Sequence, residues 1–572
     1  MIQSIRMEKK SEVRKHLDYP KLTMFQMIER MANAHPNSFA YEFYGKKTTY
    51  RQFLSRIERA ARAFTASGIR RGDSVTICMP NTPQALDCFY ALNRIGAICN
   101  MVHPLSAQKE ITFYLDFSES RMILTMDMFY EKVEAAIRET NHPVTILTAR
   151  MQDELPLAKA VGFALTQGRK ARKFPNTYNG ILWTSFLNRG VPSVRLPDPV
   201  YDPQATAAIL YSGGTSGTPK GICLSDQNIN ATALQATEAI QMPLGPGDTM
   251  LSCMPVFHGF GLGINIHTVL INGAECILMP TFNGKSYAER LIKKKPNFIA
   301  GVPTIFEALL HIEQLKNADL SCLKGMFCGG DALSVELKKK VDGFLKEHNA
   351  SIQVREGYGL TECVTASCLT PRDTYRENSI GLPFPDTEYC VVRPGTDEEL
   401  PPMQEGEIIL KGPSVMIKYL KNPEETAQTL RKLADGSIWL FTGDLGYMDK
   451  DGYVYFKQRI KRMIITNGYN VYPGQIENII DSVDEVAYSC VIGVKDTRRM
   501  QRVKAYVVLK PGFMGDDAMK EKILSALEMH VAKYAIPREI EFRKDLPKTL
   551  VGKVAYRKLE EEANAEAEKV EK

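Results

Sequence analysis

Between Ile209 and Asp226 the chain reads ILYSGGTSGTPKGICLSD. Glycines alternate there with Ser212, Thr215, Ser216 and Thr218, and Lys220 follows before the next apolar run. Glycine lets backbone N–H groups turn toward an anion with no Cβ in the way, hydroxyls add donors and lysine adds charge, so the stretch suits phosphate. It is not the P-loop of nucleoside triphosphatases. Lys220 follows Pro219 rather than glycine, it precedes Gly221 rather than Ser or Thr, and Ile222-Cys223-Leu224 reads as a strand rather than a helix start. The expectation is a strand, a phosphate cradle (Ser212, Gly213, Gly214, Thr215, Ser216, Gly217, Thr218, Lys220) and a second strand. A plain Gly/Ser surface turn would not need so many phosphate donors at once.

Four further stretches carry chemistry. REGYGLTE, Arg355 to Glu362, sets an aromatic ring, a hydroxyl and a carboxylate at the end of an apolar strand. The carboxylate suits Mg²⁺ on phosphate oxygens and Tyr358 suits stacking on a base, with a helix-capping role as the alternative for Glu362. WLFTGDLG offers Asp444 just after a strand, where a carboxylate can take both hydroxyls of a ribose. RIKRMIITNGYNVYPGQIE carries Arg459 and a loop at Gly468, and LPKTLVGKVAYRK presents Lys553 after a glycine.

In this order, YSGGTSGTPKG, YGLTE, TGD, RIK…NGYNVYP and PKTLVGK resemble the motif set of the adenylate-forming superfamily, which includes acyl-CoA synthetases, luciferases and peptide-synthetase adenylation domains. The likeness runs from TTYRQF and GDSVTICMPN to Lys553. It implies a two-step reaction: a carboxylate attacks the α-phosphate of MgATP to give acyl-adenylate and pyrophosphate, and a thiol then displaces AMP. An anion must approach an anion, so cations and pre-aimed donors carry the catalysis.

Carried onto this chain, the resemblance places the β- and γ-phosphates on the Ser212–Lys220 loop with Thr215 central, Mg²⁺ on Glu362 and the α-phosphate on Thr361. Tyr358 would stack on adenine beside Gly330 and Asp331, and Asp444 and Arg459 would hold the ribose. Lys553 would bridge the substrate carboxylate and the α-phosphate, as a point charge on a flexible stem. The resemblance puts His258, in MPVFHGFGLG, beside the acyl pocket with Gly329, as a lining or gating residue without proton transfer; a packed, satisfied side chain is the alternative. Lys461 would be the hinge about which Lys553 leaves the site and the Gly468 loop enters. Gln458 stands where relatives usually carry glycine.

These residues need a scaffold. At 572 residues the chain is too long for one core, and 44% hydrophobic and 24% charged residues describe a globular protein. A net charge of +6 does not by itself imply nucleic acid. The twelve cysteines include no C-x-x-C pair and read as reduced core thiols rather than metal ligands. MIQSIRMEKKSEVRKHLDYP has no apolar core of signal-peptide length and no run of 18 apolar residues follows, so the expected location is cytoplasmic.

Helical and strand patterns alternate as in a parallel α/β protein. YRQFLSRIERAARAF sets Phe53, Ile57, Ala60, Ala61 and Phe64 on one helical face, and SVTICM follows as a buried strand. Beyond Ile380 short strands such as EGEIILKGPSVMIKYL and DGYVYFKQR suggest a small β-rich unit. Past Arg462 helix and strand return, with helices over GQIENIIDSV and DAMKEKILSALEMHVAKY around the strand VKAYVVL. The expected fold is therefore α/β: an N-terminal domain over residues 1–458, holding two doubly wound subdomains and a small β-barrel-like unit, then a small mobile α+β domain over 459–572.

No carrier-protein serine motif or condensation domain follows Lys553, which favours free coenzyme A as the thiol. The expected partners are therefore a carboxylic acid, ATP and coenzyme A, with no stable protein partner. FHGFGLGINIHTVLI, GVPTIFEALL and YGLTECVTASC are the expected pocket segments. None carries an acid placed to hold an amino group, which favours an apolar carboxylate. A medium- or long-chain fatty acid fits best, with aryl or sterol-type acids, transfer to a carrier protein and an inactive binding homologue as the other readings.

LPLAKAVGFALTQGRKARKFP sets Leu157, Val161, Ala164 and Leu165 on one face ahead of Arg169, Lys170, Arg172 and Lys173, and resembles an insertion in long-chain fatty acyl-CoA synthetases. Such a segment suits peripheral contact with the anionic inner face of a membrane, a solvated helix and loop being the alternative. Changing those four cations to Gln is expected to lower binding to anionic vesicles, each charge contributing about 1 kcal/mol near the surface. Unchanged co-sedimentation would leave only the solvated loop.

Overall fold

The structure is a computed structural model that describes residues 13–156, 159–160, 180–212, 219–466, 469–496, 500–549 and 554–570. The basic stretch with its apolar face lies outside the described residues.

Local sequence chemistry sets the element boundaries. Thr49 begins the helix Tyr50–Ala66 with a reciprocal cap: its hydroxyl accepts from Gln52 N at 3.3 Å, and the Gln52 side chain accepts from Thr49 N at 2.9 Å. The expected face of Phe53, Ile57, Ala60, Ala61 and Phe64 is fully buried. Gly68, at φ +82°, turns the chain after it toward the strand Ser74–Cys78. Thr82 with Pro83 at the first helical position does the same for Pro83–Arg94, and Ser225 with Asn228 for Asp226–Ala239.

Two large sheets form the N-terminal domain. The eight-stranded one orders Lys418–Tyr419, Lys220–Leu224, Ala208–Ser212, Ile98–Met101, Ser74–Cys78, Met122–Met126, Thr145–Ala149 and Ile181–Leu182. The nine-stranded one runs from Leu382–Pro383 through Cys368–Leu369, Val354–Tyr358, Gly325–Cys328, Phe298–Gly301, Thr249–Ser252, Glu275–Leu278 and Phe39–Phe43 to Lys46–Thr49. Central pairs are parallel, as is the edge pair of Thr145–Ala149 with Ile181–Leu182, while the pairs toward the other sheet edges are antiparallel. One continuous apolar core joins both sheets and their helices. The β-rich unit is a five-stranded antiparallel sheet built on Ile438–Met448. The small C-terminal domain is a second five-stranded sheet with its own core, against which the helices Pro473–Asp481 and Asp517–Glu528 pack.

Two expectations are corrected. The strand within VMIKYL does not join the β-rich unit. Lys418 and Tyr419 pair with Cys223 and Ile222 instead, and the backbone N–H groups of Ile417 and Leu420 bond the carbonyls of Cys223 and Gly221. The Lys220–Leu224 edge would otherwise leave its ladder groups unpaired, and this returning segment covers it. The helix expected to reach Tyr534 ends at Glu528, and the Tyr534 ring stacks on Tyr469 at 4.5 Å.

Asn81 ties the two large sheets together near their carboxyl edges. Fully buried, it donates to the carbonyls of Ser252 and Met254 at 3.1 and 2.8 Å and accepts from Val256 N at 2.7 Å. Asn81→Ala leaves these groups unpaired and should cost about 2–4 kcal/mol, read as a lower melting temperature.

Candidate active site

The carboxyl ends of the strands deliver the functional side chains, the position that open parallel sheets use for ligands. Ala208–Ser212 and Lys220–Leu224 pair antiparallel, with Ser212 opposite Lys220, so the two strands bracket the glycine-rich loop as expected. Gly213 to Thr218, Gly468 and Lys553 lie outside the described residues. Lys220 Nζ forms an ion pair with Glu425 and sits 4.9 Å from the centroid of the Tyr419 ring.

Val354–Tyr358 ends at Tyr358, whose hydroxyl donates to Asp444 Oδ2 at 2.7 Å. Its ring lies 5.9 Å from Phe456. Asp444 lies inside the long strand Ile438–Met448 rather than after it, beyond Gly443, whose φ of +71° bends the strand there. It is 2% exposed and faces Arg459 across the ladder, with Arg459 Nε 3.7 Å from Oδ1. That oxygen has no hydrogen-bond donor among the described residues. Burial pushes the Asp444 carboxyl up to about 6, with Arg459 and the Tyr358 hydroxyl pulling it back down.

Thr361 and Glu362 stand on a single 3₁₀ turn, Thr361–Cys363, and both are half-buried. Val364 and Thr365 follow at φ +54° and +70°. Two consecutive β-branched residues in the left-handed region cost roughly 1–3 kcal/mol each. Thr365 N on the Leu360 carbonyl at 2.7 Å and Ser367 N on the Tyr358 carbonyl at 2.9 Å hold the turn. Glu362 Oε1 accepts from the Tyr419 hydroxyl at 2.7 Å. A half-buried carboxylate fits Mg²⁺, which takes hard oxygen ligands and is usually held by one or two carboxylates together with substrate phosphates.

An apolar cavity lies beside these groups, with Gly357 and Thr365 in its lining. Gly329, Gly330 and Gly357 line one part of it. A Cβ on Gly329 would come within 3.1 Å of the Gly357 carbonyl, and Gly330 adopts φ +82°. One wall is a π-helix, Phe260–Thr268, which presents Phe260, Ile264 and Thr268. Gly261 permits that winding, since a Cβ there would lie 1.9 Å from the Pro255 carbonyl. Ala236, Ile240, Phe298 and Phe327 also line it. None of the described lining residues comes from Val302–Leu310, so GVPTIFEALL contributes no wall to this cavity. His258 is not among them either: its Nδ1 accepts from Phe260 N at 3.3 Å at the start of the π-helix.

The structure thus joins Tyr358, Asp444 and Arg459 in one group and Glu362, Tyr419 and Lys220 in another, and Gly357 and Thr365 from the same segment as Tyr358 and Glu362 line the cavity. Asp331 is exposed beyond the Gly325–Cys328 strand, and Lys461 is exposed on the short turn Ile460–Arg462. Sequence reasoning missed Tyr419 and Glu425. No spacing signals them, since they enter the site through a strand pairing across about 200 residues of chain.

Residues 28–420 match the family model for AMP-binding enzymes, and residues 475–553 match that for the AMP-binding enzyme C-terminal domain. The chain is 35% identical over 560 residues to a long-chain-fatty-acid–CoA ligase of Bacillus subtilis, covering 96% of each chain. It is 30% identical over 556 residues to one of Salmonella typhimurium, covering 96% of this chain and 95% of the other. Among solved structures it superposes on ATP-bound MatB from Rhodopseudomonas palustris with a TM-score of 0.80 at 25% identity, covering 95% and 99% of the two chains. The fold is also that of an anthranilate CoA ligase in complex with anthranoyl-AMP, with a TM-score of 0.80 at 23% identity and coverage of 96% and 98%.

The raised Asp444 carboxyl predicts a pH effect with a definite sign. In the unfolded chain it ionises near pH 4 and in the folded protein near 6, so the folded state holds the extra proton between those values. Its contribution to stability falls as pH rises through that window, by roughly 2–3 kcal/mol in total. Asp444→Asn should therefore be about 1–3 kcal/mol more stable than the parent at pH 7 in urea unfolding, with the difference gone below pH 4.

Proposed function

The chain belongs to the AMP-binding enzyme family, and from that premise and the site geometry we propose that it is an ATP-dependent carboxylate–CoA ligase for a medium- or long-chain fatty acid. The observation that carries the substrate class is the cavity. Its walls are almost wholly apolar, built from aliphatic and aromatic side chains such as Ile240, Leu244, Phe298 and Phe327. It runs along the strands: Cys328 lies level with Gly301, and Phe298 lies level with Gly325, three residues deeper. At 3.3 Å per residue these lining positions are about 10 Å apart along the strands, room for an extended alkyl segment. The fatty-acid ligases of Bacillus and Salmonella support the same class.

In this reading the acyl tail leaves water for the apolar cavity, and its carboxylate stays at the glycine-lined mouth beside Tyr358. Asp444 accepts from the ribose through the oxygen that lacks a donor, and Arg459 balances its charge. Tyr358 presents its ring to adenine. The Ser212–Lys220 loop holds the outer phosphates, and Thr361 donates to the α-phosphate. Mg²⁺ held by Glu362 would neutralise phosphate oxygens during the attack. Lys553 spans the attacking carboxylate and the α-phosphate, and rotation near Lys461, at the 458/459 boundary, then admits coenzyme A. We place the enzyme in the cytoplasm, touching the inner membrane face through its basic stretch; no helix of the described residues is long and apolar enough to cross a membrane.

The test separates the two half-reactions. Pyrophosphate release should rise with fatty acids of increasing length in a panel that also holds aryl and sterol-type acids. Lys553→Ala should cut adenylation by on the order of a hundredfold or more, while thioester formation from supplied acyl-adenylate survives. Near-normal adenylation in that variant removes the main support for the reaction, and a preference for aryl acids overturns the substrate class.

A further inference from the structure

We propose that Tyr419 is a positioning residue that sets the metal carboxylate and the phosphate-loop lysine with one side chain; the inference rests on the reading of Glu362 as the Mg²⁺ ligand. Tyr419 is 3% exposed, and its two ends do different work. The hydroxyl donates to Glu362 Oε1 at 2.7 Å, and the face of the ring lies 4.9 Å from Lys220 Nζ. Lys220 is also ion-paired with Glu425 on the short helix Pro423–Thr429. Thr426 of that helix accepts from Tyr419 N at 3.0 Å, so the ring, the helix and the lysine form one unit.

The placement is specified rather than incidental. Tyr419 pairs in register with Ile222 on the strand that leaves the phosphate loop, and Met416 N bonds the Glu362 carbonyl at 2.7 Å. The segment therefore grips Glu362 through both its backbone and its carboxylate. Glu362 rides on a single 3₁₀ turn ahead of two left-handed residues, and its side chain has three free torsions unless something outside the turn selects a rotamer. The Tyr419 hydroxyl does that, in the manner of the outer hydrogen bonds that orient metal-ligating carboxylates. The consequence is coupling: the carboxylate that would meet the ion and the ammonium that would meet the phosphates are referenced to the same ring. A triphosphate carrying its metal then meets both charges already spaced, rather than ordering two flexible side chains on arrival.

Tyr419→Phe tests this, because it removes only the donor and keeps the ring under Lys220. Binding of ATP to the full chain is measured by calorimetry with Mg²⁺ and in EDTA, beside the KM for the acid. The expected result is a loss on the order of ten- to a hundredfold in affinity with Mg²⁺. Metal-free affinity and the KM for the acid should stay within about twofold of the parent. In a Glu362→Gln background the same change should add nothing, since its partner is already altered. Wild-type binding with Mg²⁺, an equal loss with and without the ion, or a full additional loss in the Glu362→Gln background would each overturn the proposal. If Glu362→Gln by itself leaves the Mg²⁺ dependence unchanged, the reading of Glu362 falls and this inference with it. If Glu362→Gln shifts that dependence and Tyr419→Phe does not, the inference alone fails.

Discussion

The hydrogen bond from Tyr358 to Asp444 is the contact on which the site depends. It joins the last parallel strand of the nine-stranded sheet to the long strand of the β-rich unit, two elements 86 residues apart in sequence. Asp444 is buried there with one oxygen satisfied and the other facing Arg459 at a distance too long for a hydrogen bond. Ionising such a group is costly, as its upward shift records. A carboxylate kept desolvated and half-paired is poor for stability and well prepared for a ligand with two hydroxyls, which is the trade that binding sites commonly make.

Charge elsewhere in the site follows the same economy. Lys220 rests on Glu425 and the Tyr419 ring, and Glu362 rests on the Tyr419 hydroxyl. Each charged group has an internal partner that an incoming phosphate or cation would replace or share. Exchange of partners avoids the desolvation cost of a bare buried charge, and it keeps the geometry fixed before the ligand arrives. The left-handed pair Val364 and Thr365 belongs to this scheme. Local strain there turns the chain sharply between Glu362, held by the Tyr419 hydroxyl, and Thr365 in the cavity wall.

The cavity shows how an apolar site is kept apolar beside so many charges. Arg355 is buried behind the Phe327 wall, and its guanidinium donates to the carbonyls of Thr370, Ala239 and Ile240 at 2.6 to 2.8 Å. Two of these carbonyls lie at the C-terminal end of the helix Asp226–Ala239, where a cation meets the negative end of the helix dipole. Burial lowers the Arg355 pKa to about 10, still well above neutrality. The arginine thus satisfies the helix end and leaves the cavity to Ile240, Phe298 and Phe327.

Local chemistry decided much of this protein from the sequence alone. The 3.6-residue apolar period placed helices such as Tyr50–Ala66. Gly and Lys density marked the loop between Ser212 and Lys220, and the short motifs marked Tyr358, Glu362, Asp444 and Arg459 as groups that act together, because each of these signals is written within a few residues of chain. Pairing across long separations was not legible in that way. Tyr419 reaches Glu362 only because Lys418–Tyr419 covers the open edge of the Lys220–Leu224 strand, and nothing in MIKYL distinguishes that edge from the β-rich unit it follows. Which apolar segments line the cavity was not legible either, since an apolar helix can face either a core or a void, and which it faces is settled by the packing of the neighbouring elements. Sequence determined the chemical groups and their local backbone; the tertiary structure decided which of them touch, because edge satisfaction and close packing are properties of the whole sheet.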